Sequence, residues 1–115
     1  MSAFSNYLEN KLIDHVFRGQ VYTPPANIFV GLLTASADDA SPGTEVSGGS
    51  YARVSVAASL AAWAGTQSAG STAASSGTSG ATSNNGVITF PAPTANWESA
   101  SHFGLFDAAS GGNLL

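Results

Sequence analysis

The sequence predicts a mainly β domain, a small antiparallel β-sandwich with one N-terminal α-helix packed across it. Three observations lead there. Helical periodicity is confined to the first part of the chain, around NYLENKLIDHVF. The remainder breaks into short β-branched and aromatic runs separated by Gly, Pro, Ser and Asn turns, as all-β domains do. At 115 residues the chain is one domain, large enough for a single core.

The helix is expected over residues 5–18. Phe4, Leu8, Leu12 and Val16 recur every fourth position and form one stripe, widened by Ile13 and Phe17. Asn10, Lys11, Asp14 and Arg18 fall opposite, and Asp14 precedes Arg18 in the favoured order for an ion pair. Ser2 or Ser5 can cap the start and Gly19 can stop the end. Thr23-Pro24-Pro25 then forbids further helix, since proline lacks the amide donor and makes its predecessor extended. A strand follows near 27–34, with Ile28, Val30 and Leu32 on one side and Phe29 and Leu33 on the other, so both faces are buried. Residues 35–50 read as a loop.

The next strand is expected at 51–56, with Ala52, Val54 and Val56 inward and Tyr51, Arg53 and Ser55 outward or toward a partner. Residues 57–63 stand between helix and strand, because their alanines favour one and their setting the other. Residues 66–83 contain only Ala, Gly, Ser, Thr and one Gln, too little apolar surface to offset ordering entropy. They are expected to form a flexible arm, ordered if at all by a neighbouring subunit. Strands near 87–90 and 101–106 follow, and Leu114-Leu115 opens another. A chain stopping inside a strand is expected to be C-terminally truncated.

Charged residues make up 9% of the chain, against about 25% in typical domains. Only Lys11, Arg18 and Arg53 are basic and the net charge is −4. Nucleic-acid and anionic-membrane binding need clustered cations, so no nucleic acid and no membrane is expected as a partner. No apolar run approaches the ~20 residues of a membrane-spanning helix. With no cysteine, disulfides, thiolate nucleophiles and cysteine metal sites are excluded. Asp38, Asp39 and Glu45 lack EF-hand spacing and read as a solvated loop. His102 and Asp107 would point to opposite strand faces, and no G-x-S-x-G is present. His15 reads as a core-edge histidine bonded to backbone, not a metal ligand. No catalytic, metal or cofactor site is expected. The candidate partner contacts are Tyr22, Tyr51, Arg53, Trp63 and Trp97: aromatics that fill a core or a subunit contact, or form a platform for sugar.

Five segments carry a resemblance. They are S-x-Y-L-E-N-K-L-x-D-H-x-F-x-G at 5–19, Y-T-P-P-A at 22–26, E-V-S-G-G-x-Y-A-R at 45–53, I-T-F-P-x-x-T-A-x-W at 88–97 and H-F-G-L-F-D-A-A-S-G-G-N-L-L at 102–115. Together they resemble a family of small tailed-bacteriophage virion structural proteins, usually labelled phage tail fibre proteins. The long Ser/Ala/Gly stretch at 66–83 departs from that pattern. The resemblance implies a non-enzymatic virion protein, made in the host bacterial cytoplasm and bound to other virion proteins, either major capsid protein or tail proteins. Small size, low charge and the lack of a fibre repeat favour a capsid decoration or cement protein. The alternative is a tail fibre or tail-tip component that binds host surface glycan. A homo-oligomer is expected, a trimer first, because so few charges leave apolar surface in need of a partner.

Overall fold

Leu33 is the best-buried side chain, wholly removed from solvent, and the elements are arranged around its strand. In the computed structural model, residues 4–115 are described. They form α1 (Asn6–Phe17), β1 (Asn27–Ala35), β2 (Thr44–Glu45), β3 (Val54–Ala57) and β4 (His102–Phe106). All strand pairs are antiparallel and all include β1. On one edge β4 pairs residues Phe29 to Leu33, with Gly31 opposite Gly104. On the other edge β3 pairs the first half of β1, Val30 opposite Val54, and β2 pairs the second half, Leu33 opposite Glu45. The architecture is a small mainly β fold with one helix. Outside this sheet, the described residues form only two isolated bridges, Trp63–Asn84 and Phe106–Leu114.

Ser5 is the helix cap: its hydroxyl accepts from Leu8 N at 3.3 Å and donates to Leu114 O at 2.5 Å. Ser2, the other candidate cap, lies outside the described residues. At the far end Arg18 N and Gln20 N both donate to Asp14 O, and Gly19 takes φ +69°, the left-handed conformation that ends helices without a Cβ clash. The helix does not lie across the sheet as expected. No strand Cα comes within 8 Å of α1, and none of its residues is fully buried. The reason is anchorage: Asn6 N donates to Asp39 O and Ser5 holds Leu114, so the helix is pinned to loops. Pro24 and Pro25 stiffen its return into β1.

Two other boundaries shift. Residues 51–53, expected within a strand, precede β3, and Ala52 is exposed while Tyr51 and Arg53 are half-buried, the reverse of the alternation read from the sequence. Residues 87–90, expected as a strand, join no ladder. Asn85 explains this. Its backbone N donates to Ala62 O and its side chain to Ala61 O and Ser71 O, drawing the chain toward the 61–71 turns. A groove lined by Val54, Val56, Asn85, Val87 and Ile88 is left between this segment and β3. The radius of gyration is 15.2 Å, where a compact chain of this length has about 13 Å.

Candidate functional site

Between the registers of β3 and β2, Leu32 faces an interrupted sheet edge, and an unpaired buried amide there would be costly. Tyr51 fills the gap: Leu32 N donates to its hydroxyl at 2.9 Å, and the hydroxyl donates to Glu45 Oε1 at 2.7 Å. Leu32 O accepts from Val46 N at 3.0 Å. Next to this gap, Gly31 and Gly104 sit opposite each other and form a hollow with no side chain. A Cβ on Gly31 would stand 3.0 Å from Glu45 Oε1, 3.1 Å from Phe106 Cε2 and 3.2 Å from the Tyr51 hydroxyl. Phe106 fills the hollow and is 2% exposed.

Arg53 closes the stack. Its guanidinium carbon lies 3.6 Å from the Phe106 ring centroid, a cation–π contact. Nε and Nη2 donate to the Glu45 carboxylate at 2.9 and 2.7 Å, and Nη1 donates to Ala108 O and Gly111 O at 2.7 and 2.9 Å. Its side chain is only 6% exposed. The Arg53 hydrogen bonds hold the Glu45 carboxyl below its ordinary value, against the opposing effect of burial, and the Tyr51 hydroxyl adds to the lowering. Burial, reinforced by the Glu45 carboxylate, pushes Tyr51 up to about 12. This cluster joins β2, the approach to β3, the end of β4 and the 107–113 turn, which Asp107 closes by accepting from Asn113 N and Nδ2.

The expected contact residues therefore divide. Tyr51 and Arg53 are internal ties. Trp97 joins them: it packs edge-on to Tyr51 with centroids 5.4 Å apart, and its indole donates to Gly49 O at 2.8 Å. Phe90 stacks on Tyr51 at 6.3 Å. Trp63 belongs to another region, where its indole donates to Ala57 O at 3.1 Å. The two indoles share no aromatic contact, and each N–H already serves a backbone carbonyl. Tyr22 is half-buried; burial, then Tyr7 and Asp107, raise its hydroxyl pKa. His15 Nδ1 accepts from Tyr22 N at 3.2 Å. Ser101 Oγ and His102 Nδ1 are 2.8 Å apart, but the Asp107 carboxylate is engaged by Asn113 and not by the imidazole. Gly31, Glu45, Gly104 and Phe106 were missed from the sequence as members of one cluster. Of these only Glu45 had a local signal, in E-V-S-G-G-x-Y-A-R, which carries its carboxylate together with the Tyr51 phenol and the Arg53 guanidinium.

In residues 66–83 polar bonds replace apolar burial. Thr82 Oγ1 donates to Ala64 O at 2.6 Å and Ala64 N to Ser83 O at 2.8 Å, closing the base. Further out, Gln67 bonds Ser71, Ala74 and Ser76. Among the described residues no group of acidic and histidine side chains could hold a metal ion.

These ties hold the fold together, and the family model that matches residues 3–115 is described as podophage GP4 fiber I protein gp80. The chain belongs to this family. No curated protein and no solved structure matches it. Members are phage fibre structural proteins, and in this member the paired motifs at 45–53 and 102–115 meet in the Arg53 cluster.

Proposed function

We propose that the chain is a non-enzymatic structural component of a podophage fibre, held in the virion by contacts with neighbouring virion proteins. The observation that carries this reading is the family match across almost the whole chain. The geometry supports it. The most elaborate side-chain cluster serves to tie strands and a turn together, while large apolar side chains such as Phe17, Val21, Val87 and Phe103 stand in water, as on a protein that meets partners. The fibre description favours fibre placement over the capsid decoration role expected from size and charge. With Tyr51, Arg53 and Trp97 engaged internally, the partner contacts of this reading are the exposed apolar residues, Tyr22, Trp63 and the polar arm at 66–83.

The test is labelling of intact particles with an antibody to this chain, with copy number determined by quantitative mass spectrometry. Few copies, located at the fibres, are expected. Label spread over the head shell, in numbers comparable to the major capsid protein, would restore the decoration reading and refute this one.

A further inference from the structure

We propose that the open edge of β3 is a docking site for an extended, uncharged strand of another virion protein, seated in the groove between β3 and residues 85–88. The hydrogen-bond pattern of β3 fixes what the edge offers. Ala58 N donates to Ala26 O at 2.9 Å, so by antiparallel alternation Val56 and Val54, opposite Ile28 and Val30, also turn their backbone groups toward β1. Ser55 and Ala57 turn theirs outward, where Ala57 O receives the Trp63 indole. Ser55 N, Ser55 O and Ala57 N take no partner among the described residues, and both residues are exposed. Natural sheets usually cover, charge or break up such an edge. β3 carries neither a charge nor a proline.

The far wall of the groove runs alongside β3 without pairing to it. At one end Asn85 N donates to Ala62 O at 2.8 Å, next to the Trp63 indole that reaches the end of β3. At the other end Phe90 stacks on Tyr51, just before β3 begins. Residues 85–90 therefore run antiparallel to β3, pinned at both ends and standing off between them, with Val87 93% exposed. The groove so framed has a volume of about 470 Å³, within the range of ligand sites. In its wall Asn85 Oδ1 is removed from water and has no donor, while Nδ2 is engaged by Ala61 O and Ser71 O. An entering strand brings amide donors to that wall.

Edge and wall together describe the occupant. Free backbone donors and acceptors along β3 select an extended chain, which adds to a sheet edge by main-chain bonds. Its side chains align with those of β3, so residues beside Val54 and Val56 should be apolar and those beside Ser55 and Ala57 small or polar. No residue lining the groove is charged, and a carboxylate or ammonium buried there would lack a counter-ion. The occupant is therefore an uncharged strand in which Val-like and Thr-like residues alternate. This contact deepens the structural role proposed above, on which it rests for its place in a virion. It is tested on the isolated chain, so either can fail alone.

The experiment is amide hydrogen exchange followed by NMR on the full chain, alone and with the capped peptide Ser-Thr-Val-Thr-Val-Thr-Ser as probe. In the free chain the Ser55 and Ala57 amides should exchange fast, and those of Val54 and Val56 slowly. Saturating peptide should slow Ser55 and Ala57 at least about tenfold. The same peptide with every Val and Thr amide N-methylated, or with Glu in place of Val, should not bind. Ser55→Pro removes only an outward N–H, which an edge strand tolerates. It should weaken the peptide roughly threefold to tenfold, the worth of one hydrogen bond, and the N-methylated control stands whether or not S55P folds. No slowing with the peptide, equal binding of the N-methylated or Glu form, or undiminished binding by folded S55P would overturn the inference. So would Ser55 and Ala57 amides already protected in the free chain. Protection that grows with protein concentration would give the edge to a second copy, and protection independent of it to the chain's own residues 87–90.

Discussion

Replacing Arg53 with Met should be among the most damaging single changes in this protein. The substitution keeps an apolar stem against Phe106 but removes the charge and every guanidinium bond. It leaves the Glu45 carboxylate, whose side chain is 26% exposed, with the Tyr51 hydroxyl as its remaining side-chain donor. It also strips donors from Ala108 O and Gly111 O. Breaking one partner of a buried pair costs about 3–5 kcal/mol. Partial exposure of Glu45 lowers that here, and a loss of about 2–4 kcal/mol is expected, a large fraction of a small domain's stability. Urea unfolding of wild type, R53M, E45Q and the double variant measures it, and the double variant should recover about 1–3 kcal/mol relative to the sum of the singles. The pH dependence checks the same pair. Because folding lowers the Glu45 pKa, its contribution is present above the unfolded carboxylate range and is lost as pH falls through the folded value. R53M should flatten that acid limb. An R53M loss below about 1 kcal/mol, or additivity within about 0.5 kcal/mol, would refute the role given to the cluster.

Tyr51→Phe should cost about 1–3 kcal/mol by leaving Leu32 N without its acceptor, read by thermal unfolding. With the Tyr51 pKa raised to about 12, its contribution should persist below the ordinary tyrosine range and fall away as pH rises through the folded value. Spectrophotometric phenolate titration should show a tyrosine ionising at about pH 12, and Y51F should abolish that step while leaving the raised ionisation of Tyr22. Gly31→Ala should destabilise by about 1–3 kcal/mol through overpacking, since its Cβ would stand 3.0–3.2 Å from three groups; an unchanged unfolding midpoint would show that the hollow can relax. Replacing residues 67–81 with a short Gly-Ser linker should leave the isolated domain's melting temperature nearly unchanged and weaken attachment to particles. Unfolding of the isolated domain would place the segment in the core, and intact attachment would make it a plain surface loop.

Much of this protein is determined locally and is legible without a structure. The period of α1, the stop at Gly19, the proline corner and the apolar run of β1 each depend on residues within a few positions, so composition and spacing are sufficient to specify them, while for the cap they narrowed the choice to Ser2 or Ser5. Cysteine and cation counts likewise bound its chemistry. The position of the helix is different. Its stripe announces a face to be buried but cannot name what buries it, and anchorage to Asp39 and Leu114 keeps the helix clear of its own sheet. Residues 87–90 have strand-forming side chains, yet a strand also needs an edge at hydrogen-bond distance, and Asn85 holds the segment away. Alternation around Tyr51 and Arg53 put both on the outward face, and the structure turns them inward, because inward burial of Arg53 requires partners at Ala108 and Gly111, more than fifty residues away. Only the tertiary structure brings a carboxylate, two carbonyls and an aromatic ring together around that charge, and their combined solvation makes the interior its lower-energy place.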